Sequence, residues 1–305
     1  MVLFLSKILR VFVSFLMLFS QTAPQFFELP AIPSGQEVNL DERFELVWSD
    51  EFEGDKLDRT KWIYNWWEIE RKGGYWHEDM VSVKDGNLVI RTEYKENGMP
   101  IPDAYKGYFA TRPGHKEYKE GWYTGVVETR GNFEQCYGYF ECRAILPASS
   151  GMWSAFWMMN DKVENVDGSG KDGTEVDIFE SMYYKDNNVG FGDAVVSGIH
   201  YDGYGDAHQG DSIGKWFCNN PYKEYNTYGV EWNEKEYIFY INGVETGRLS
   251  TGGVSQNPEY LILSCEVAGE NGVANADRHG VGKISMEPGD STEFKVDYVR
   301  VYQYK

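Results

Sequence analysis

The sequence predicts an all-β protein, a single large sandwich of two antiparallel sheets. Three observations predict it. Aromatic residues form 16% of the 305-residue chain, with 10 Trp and 22 Tyr, and 33 residues are glycine. Strands broken by tight turns have this composition. Apolar runs meet turn signals at short intervals, most clearly where Tyr237-Ile238-Phe239-Tyr240-Ile241 enters Asn242-Gly243 and continues as Val244-Glu245-Thr246. An apolar run, Asn-Gly and a second apolar run form the strongest short hairpin signal. Helical periodicity is absent from residue 44 onward, and strands do not alternate with helices. That excludes doubly wound and barrel α/β folds. No repeat of 20–50 residues is visible, which argues against propellers and solenoids.

The elements follow in order. Residues 1–23 read as an export signal: Lys7 and Arg10 precede the apolar run Val11 to Phe19, too short to span a bilayer comfortably. The chain is therefore expected to be secreted and free of the membrane once the signal is removed. Residues 24–43 form a Pro-containing lead-in, and residues 44–305 form one domain. Asp85-Gly86-Asn87 turns into the strand Leu88 to Thr92, and Phe294 to Tyr302 closes the chain as a last strand. Long loops are expected at 99–121, 160–174, 184–216 and 266–291. They are rich in Gly, Asp and aromatics, as substrate-lining loops often are.

The formal net charge is −19. It excludes a general nucleic-acid binder, which needs a basic surface, and disfavours anionic membranes and heavily sulfated polymers. Cys136, Cys142, Cys218 and Cys265 show no metal-binding spacing. Cys136 and Cys142 read as one strand, roughly 20 Å apart if extended, so they do not pair with each other. Free thiols and a monomeric chain are the expectation.

The sharpest local feature is Glu175-Val176-Asp177-Ile178-Phe179-Glu180, three carboxylates in an apolar, strand-like stretch. On a regular strand Glu175 and Asp177 share a face and Glu180 takes the other. One extra residue, a bulge at Ile178-Phe179, returns Glu180 to the shared face. Four effective strand steps then separate the two Glu backbones by roughly 13 Å. Inward-reaching side chains bring the carboxyls toward the ~5–5.5 Å of a retaining glycosidase. The bland alternative is a solvated acidic strand, which like-charge repulsion disfavours. An EF-hand starting at Asp167 fails: its sixth position is Asp172 rather than Gly, and its twelfth is Ile178 rather than Glu.

Trp153 and Trp157 lie just upstream, four apart and so on one face of a strand. Indole rings beside acids suit a carbohydrate cleft. Trp153 fits the cleft; Trp157 fits cleft or core equally. His200 suits either a structural role or a hydrogen bond to an acid or a sugar hydroxyl.

Together these residues resemble glycoside hydrolase family 16, its laminarinase-like branch. The resemblance runs in the family's order from Val47-Trp48-Ser49-Asp50-Glu51-Phe52 through Tyr137-Gly138-Tyr139-Phe140-Glu141 and the bulged Glu175–Glu180 motif. It continues through Tyr228-Gly229-Val230-Glu231-Trp232 to the closing strand. It implies a β-jelly-roll, concanavalin A-like sandwich with an open concave cleft. It implies Glu175 as nucleophile, Glu180 as acid/base and Asp177 as assisting acid; Trp153, Trp157 and His200 are expected to bind substrate on the residue reading above. The implied activity is retaining, endo-acting hydrolysis of a β-linked polysaccharide, foremost β-1,3-glucan or mixed β-1,3-1,4-glucan. A β-galactan hydrolase for agar-, porphyran- or carrageenan-type polymers is the alternative, with a transglycosylase and a non-catalytic lectin behind it. No cofactor is required. A structural calcium on Asp297 and the Gly86 carbonyl is what some family members would imply.

Overall fold

In the computed structural model, which describes residues 29–64, 69–102, 118–184, 192–275 and 282–305, the Asn242-Gly243 signal forms the expected hairpin. Tyr237–Ile241 pairs antiparallel with Val244–Leu249. Asn242 and Gly243 take φ of 50° and 76°, the two left-handed residues of the turn that matches strand twist. Asp85 and Gly86 turn the same way, at 52° and 72°, and join Val81–Lys84 to Asn87–Lys95.

Strands of this kind assemble into two large sheets. The front sheet runs Gln209–Phe217, Ala194–Tyr201, Glu175–Tyr183, Met152–Met159, Tyr260–Val267, Val126–Glu128, Ile63–Tyr64, each antiparallel to its neighbour. The back sheet is centred on the closing strand Ser291–Tyr304, which lies between Gly138–Ile145 and Asn87–Lys95. Consecutive strands pair at one end of each sheet, while others join distant segments, as where Tyr260–Val267 lies between Met152–Met159 and Val126–Glu128 and the closing strand lies between Gly138–Ile145 and Asn87–Lys95. The all-β sandwich read from the sequence is the fold. No helix among the described residues is long and apolar enough to cross a membrane.

The core lies between the sheets. Phe156, Met158, Val176, Leu261 and Leu263 reach it from the front, and Phe140, Tyr228, Trp232, Phe294 and Val299 from the back. Alternation along each strand leaves the other side chains of the front sheet on its outer face.

Two expectations need correction, and two fall outside the described residues. The 184–216 loop carries the two front-sheet strands Ala194–Tyr201 and Gln209–Phe217. Gln209–Phe217 is the exposed edge, so most of it is polar and weakly patterned. Cys136 precedes Gly138–Ile145 instead of sharing its strand, and all four cysteines are free. The export signal over residues 1–23 and most of the 99–121 loop lie outside the described residues.

Candidate active site

The outer face of the front sheet is the floor of a cleft enclosing about 840 Å³. Strand alternation places Trp153, Ala155 and Trp157 there, with Ile262, Ser264 and Glu266 beside them. The acidic strand adds its carboxylates by breaking that alternation. Trp157 faces Asp177 across the ladder and Phe156 faces Phe179, so Ile178 has no partner in the register. On the other side Asp177 faces Gly198 and Glu180 faces Val196, with the same irregularity. Ile178 and Phe179 both enter the core, at 2% and 0% exposure. Two consecutive apolar residues can share the interior, and the price is one lost ladder position. Glu175, Asp177 and Glu180 consequently line the same cleft.

Neighbouring side chains hold each acid. Trp153 Nε1 donates to Glu180 Oε1 at 2.7 Å, and the Lys72 ammonium caps the same indole 3.3 Å from its ring centroid. Trp157 Nε1 donates to Ser264 Oγ at 3.1 Å. Both indoles therefore sit at the cleft. His200 Nε2 stands 3.3 Å from Asp177 Oδ2, and its Nδ1 lies 2.9 Å from His208 Nε2. A Cβ on Gly210 would come 2.7 Å from His200 Nδ1, so glycine there leaves the ring its place.

Sequence reasoning missed Tyr204, whose hydroxyl donates to Glu175 Oε2. Asp202 and Gly203 take φ of 61° and 69° and turn the chain so that Tyr204 comes back over the acidic strand. The aromatics of the supposed 184–216 loop were the available signal. They could not say which ring reaches Glu175, because that depends on how the edge strands pair.

The electrostatics separate the acids. Burial, then the Asp177 charge, pushes Glu175 up to about 7, against the pull of the Tyr204 hydroxyl and His200. Burial, then Asp177, raises Glu180 well above the usual carboxylate range, and the Trp153 hydrogen bond only partly opposes it. Burial works to lower His200, but the neighbouring Asp177, Glu175 and Glu180 outweigh it and push the imidazole up to about 9. Burial and neighbouring charge thus favour the protonated form of Glu180 and the charged form of His200.

Among the described residues, Glu175, Asp177 and His200 bring ligand atoms within 4.8 Å of one another, close enough to hold a metal ion. The charged imidazole already serves as the cation for that group. The calcium expected at Asp297 and Gly86 does not fit the residues present. Asp297 Oδ2 takes the Arg143 guanidinium at 2.6 Å, a fixed positive charge where the ion would need the carboxylate.

A family model described as "Beta-porphyranase A-D, GH16 domain" matches residues 45–304. Beta-porphyranase B of Zobellia galactanivorans is 32% identical over 74% of this chain and 73% of its own length. Beta-glucanase of Rhodothermus marinus is 26% identical over 86% of each chain. The endo-1,3-1,4-beta-glycanase ExsH of Rhizobium meliloti is 30% identical over 59% of this chain, which covers only 33% of that protein; the next two curated relatives are likewise covered over less than half their length. The fold matches the crystal structure of porphyranase B from Zobellia galactanivorans at a TM-score of 0.65 and 23% identity, over 91% and 99% of the two chains. It matches a laminarinase catalytic domain from Thermotoga petrophila at 0.62 and 23%, over 86% and 98%. With the family model spanning nearly all of a two-sheet sandwich whose bulged acidic strand lines the cleft, the chain belongs to glycoside hydrolase family 16.

Proposed function

We propose that the protein cleaves a β-linked polysaccharide from within, by double displacement with retention of configuration. The observation that carries this reading is the bulge at Ile178-Phe179, which puts Glu180 on the face of Glu175. Glu180, protonated at rest, gives its proton to the leaving glycosidic oxygen. Glu175 attacks the anomeric carbon and forms a glycosyl-enzyme; Glu180 then takes a proton from the water that releases the sugar. Asp177, held by His200, keeps the proton on Glu180 through its charge. Trp153 positions Glu180, and Trp157 offers its ring to a sugar face. The chemistry uses side chains alone and needs no organic cofactor. The export signal expected at residues 1–23 would take the enzyme to an extracellular polymer.

The cleft favours an uncharged polymer. Arg71 and Lys72 both reach Glu266, Arg130 reaches Asp161, and His200 reaches Asp177. Among the described residues, each Arg and Lys lining the cleft is thus tied to an acid, as is His200, while His208 pairs with His200, an arrangement that offers a sulfate little free positive charge. This supports β-1,3-glucan or mixed-linkage β-glucan. The porphyranase family model and the 32% relative favour a second reading, a β-galactan.

Proton NMR of the first product decides the mechanism: a β-linked substrate should release the β-anomer first, and initial α-anomer would exclude the retaining route. Reducing-end assays on laminarin, barley β-glucan, agarose, porphyran and carrageenan decide the polymer. Release confined to sulfated galactans would overturn the glucan assignment.

Tyr204→Phe removes the hydrogen bond that favours ionised Glu175. The nucleophile then holds its proton to higher pH, so the acid limb of kcat/KM should move upward. A hydrogen bond to a charged group contributes about 1.5–3 kcal/mol, and activity near neutral pH should fall accordingly. A limb that stays in place, measured from pH 4 to 9, would remove Tyr204 from this role.

A further inference from the structure

Glu128 is a buried carboxyl on the cleft wall that the proposed chemistry does not use. It is 1% exposed, it lines the cleft, and its Oε1 has no hydrogen-bond partner. A buried polar oxygen without a partner is uncommon and costly, and in a cleft it invites a ligand donor. The register places it. Glu128 faces Ile262, Ile262 faces Trp157, and Trp157 faces Asp177. Glu128 and Asp177 therefore stand in one row across four strands, three spacings or roughly 14 Å apart. The floor between them is Trp157 and Ile262, an apolar surface on which sugar rings can lie. A chain with its scissile bond at Glu175 and Glu180 passes over that floor and meets Glu128.

We propose that Glu128 is the polar anchor of a distal subsite that takes an uncharged sugar ring through its hydroxyls. This rests on the polysaccharide hydrolysis proposed above. The neighbouring groups support an uncharged ligand. The Arg130 guanidinium is engaged by Asp161 and by the Tyr260 hydroxyl, the latter at 2.5 Å. Tyr260 itself is buried beneath that guanidinium, 4.6 Å from ring centroid to Cζ. An anionic substituent would have to compete with Asp161 for the Arg130 guanidinium. Burial, partly offset by Arg130, also pushes Glu128 up to about 8. Near neutral pH the carboxyl carries a proton, so it can donate one hydrogen bond and accept others from a sugar diol.

The test compares oligosaccharides of three to seven rings, taken from the polymer that the wild-type enzyme cleaves. The quantity read is kcat/KM of the longest over that of the shortest. Glu128→Leu keeps the buried volume without the hydrogen bonds and should lower this ratio about tenfold, mainly through KM of the long substrate. Glu128→Gln keeps donor and acceptor and should restore it to within about threefold of wild type. Thermal melts of both variants report folding; if the Leu variant is unstable, Glu128→Met, which also lacks the hydrogen bonds, takes its place in the same comparison. An unchanged ratio in a folded Glu128→Leu protein overturns the subsite. A drop seen only with sulfated oligosaccharides overturns its uncharged character. A wild-type enzyme that cleaves no polysaccharide overturns the functional reading itself, a result distinct from either.

Discussion

Glu175→Gln is expected to lower kcat by about 10⁴-fold or more, roughly 5.5 kcal/mol on the barrier. The amide matches the carboxylate in shape and keeps contact with Tyr204, so binding and folding should change little. It cannot attack an anomeric carbon, so the covalent route is lost. Glu180→Ala separates the two roles. With an aryl glycoside whose leaving group needs no proton, the first step survives and release of the glycosyl-enzyme stalls. Azide, a nucleophile that needs no base, should restore turnover and give a glycosyl azide of the substrate's own configuration. Full activity in Glu175→Gln, or an azide product of inverted configuration from Glu180→Ala, would reassign the roles.

Phe179→Ala should carry the largest stability effect at the site. Phe179 has no exposed surface; its ring centroid lies 4.2 Å from that of Tyr228 and 6.1 Å from that of Phe294, both on the back sheet. Emptying such a position costs about 3–5 kcal/mol, against about 0.5–1.5 kcal/mol for the milder Ile178→Val. The same ring anchors the bulge. Glu180 should therefore lose its fixed place and kcat should fall more than KM rises, although no carboxylate has been removed. Urea denaturation measures the first effect and steady-state kinetics the second. A loss below about 1 kcal/mol would mean that the bulge is held by something other than its insertion in the core.

The two predictions differ in how far each was legible in the chain. The spacing Glu175, Asp177, Glu180 is visible as text. So is the need for one extra residue, because strand side chains alternate with a period of two and six residues cannot otherwise bring both ends to one face. Ile178 and Phe179 are adjacent and apolar, which makes them the pair able to turn inward together. The hairpin at Asn242-Gly243 was equally legible, since two left-handed residues are what that turn demands. The strands at 194–201 and 209–217 were not. Gln209–Phe217 is an edge strand with one neighbour and an exposed side, so the burial that would write alternating apolar residues into it is missing; Ala194–Tyr201 lies inside the sheet, but its short run is broken by Ser197 and Gly198.

What the chain determined alone was local: period, turn chemistry, charge and the identity of the acids. Which groups meet was decided by the sheet. Pairing of successive strands brings Trp153 to Glu180, and strands far apart in sequence bring Glu266 to Arg71 and Lys72 and Glu128 into the row of Asp177. Tyr204 reaches Glu175 because Ala194–Tyr201 pairs with the acidic strand and the chain then turns at Asp202 and Gly203. Arg143 takes Asp297 because two back-sheet strands from opposite halves of the chain lie side by side. Such contacts depend on pairing partners and register, which arise when distant segments bury their apolar faces together, and no stretch of sequence read by itself contains them.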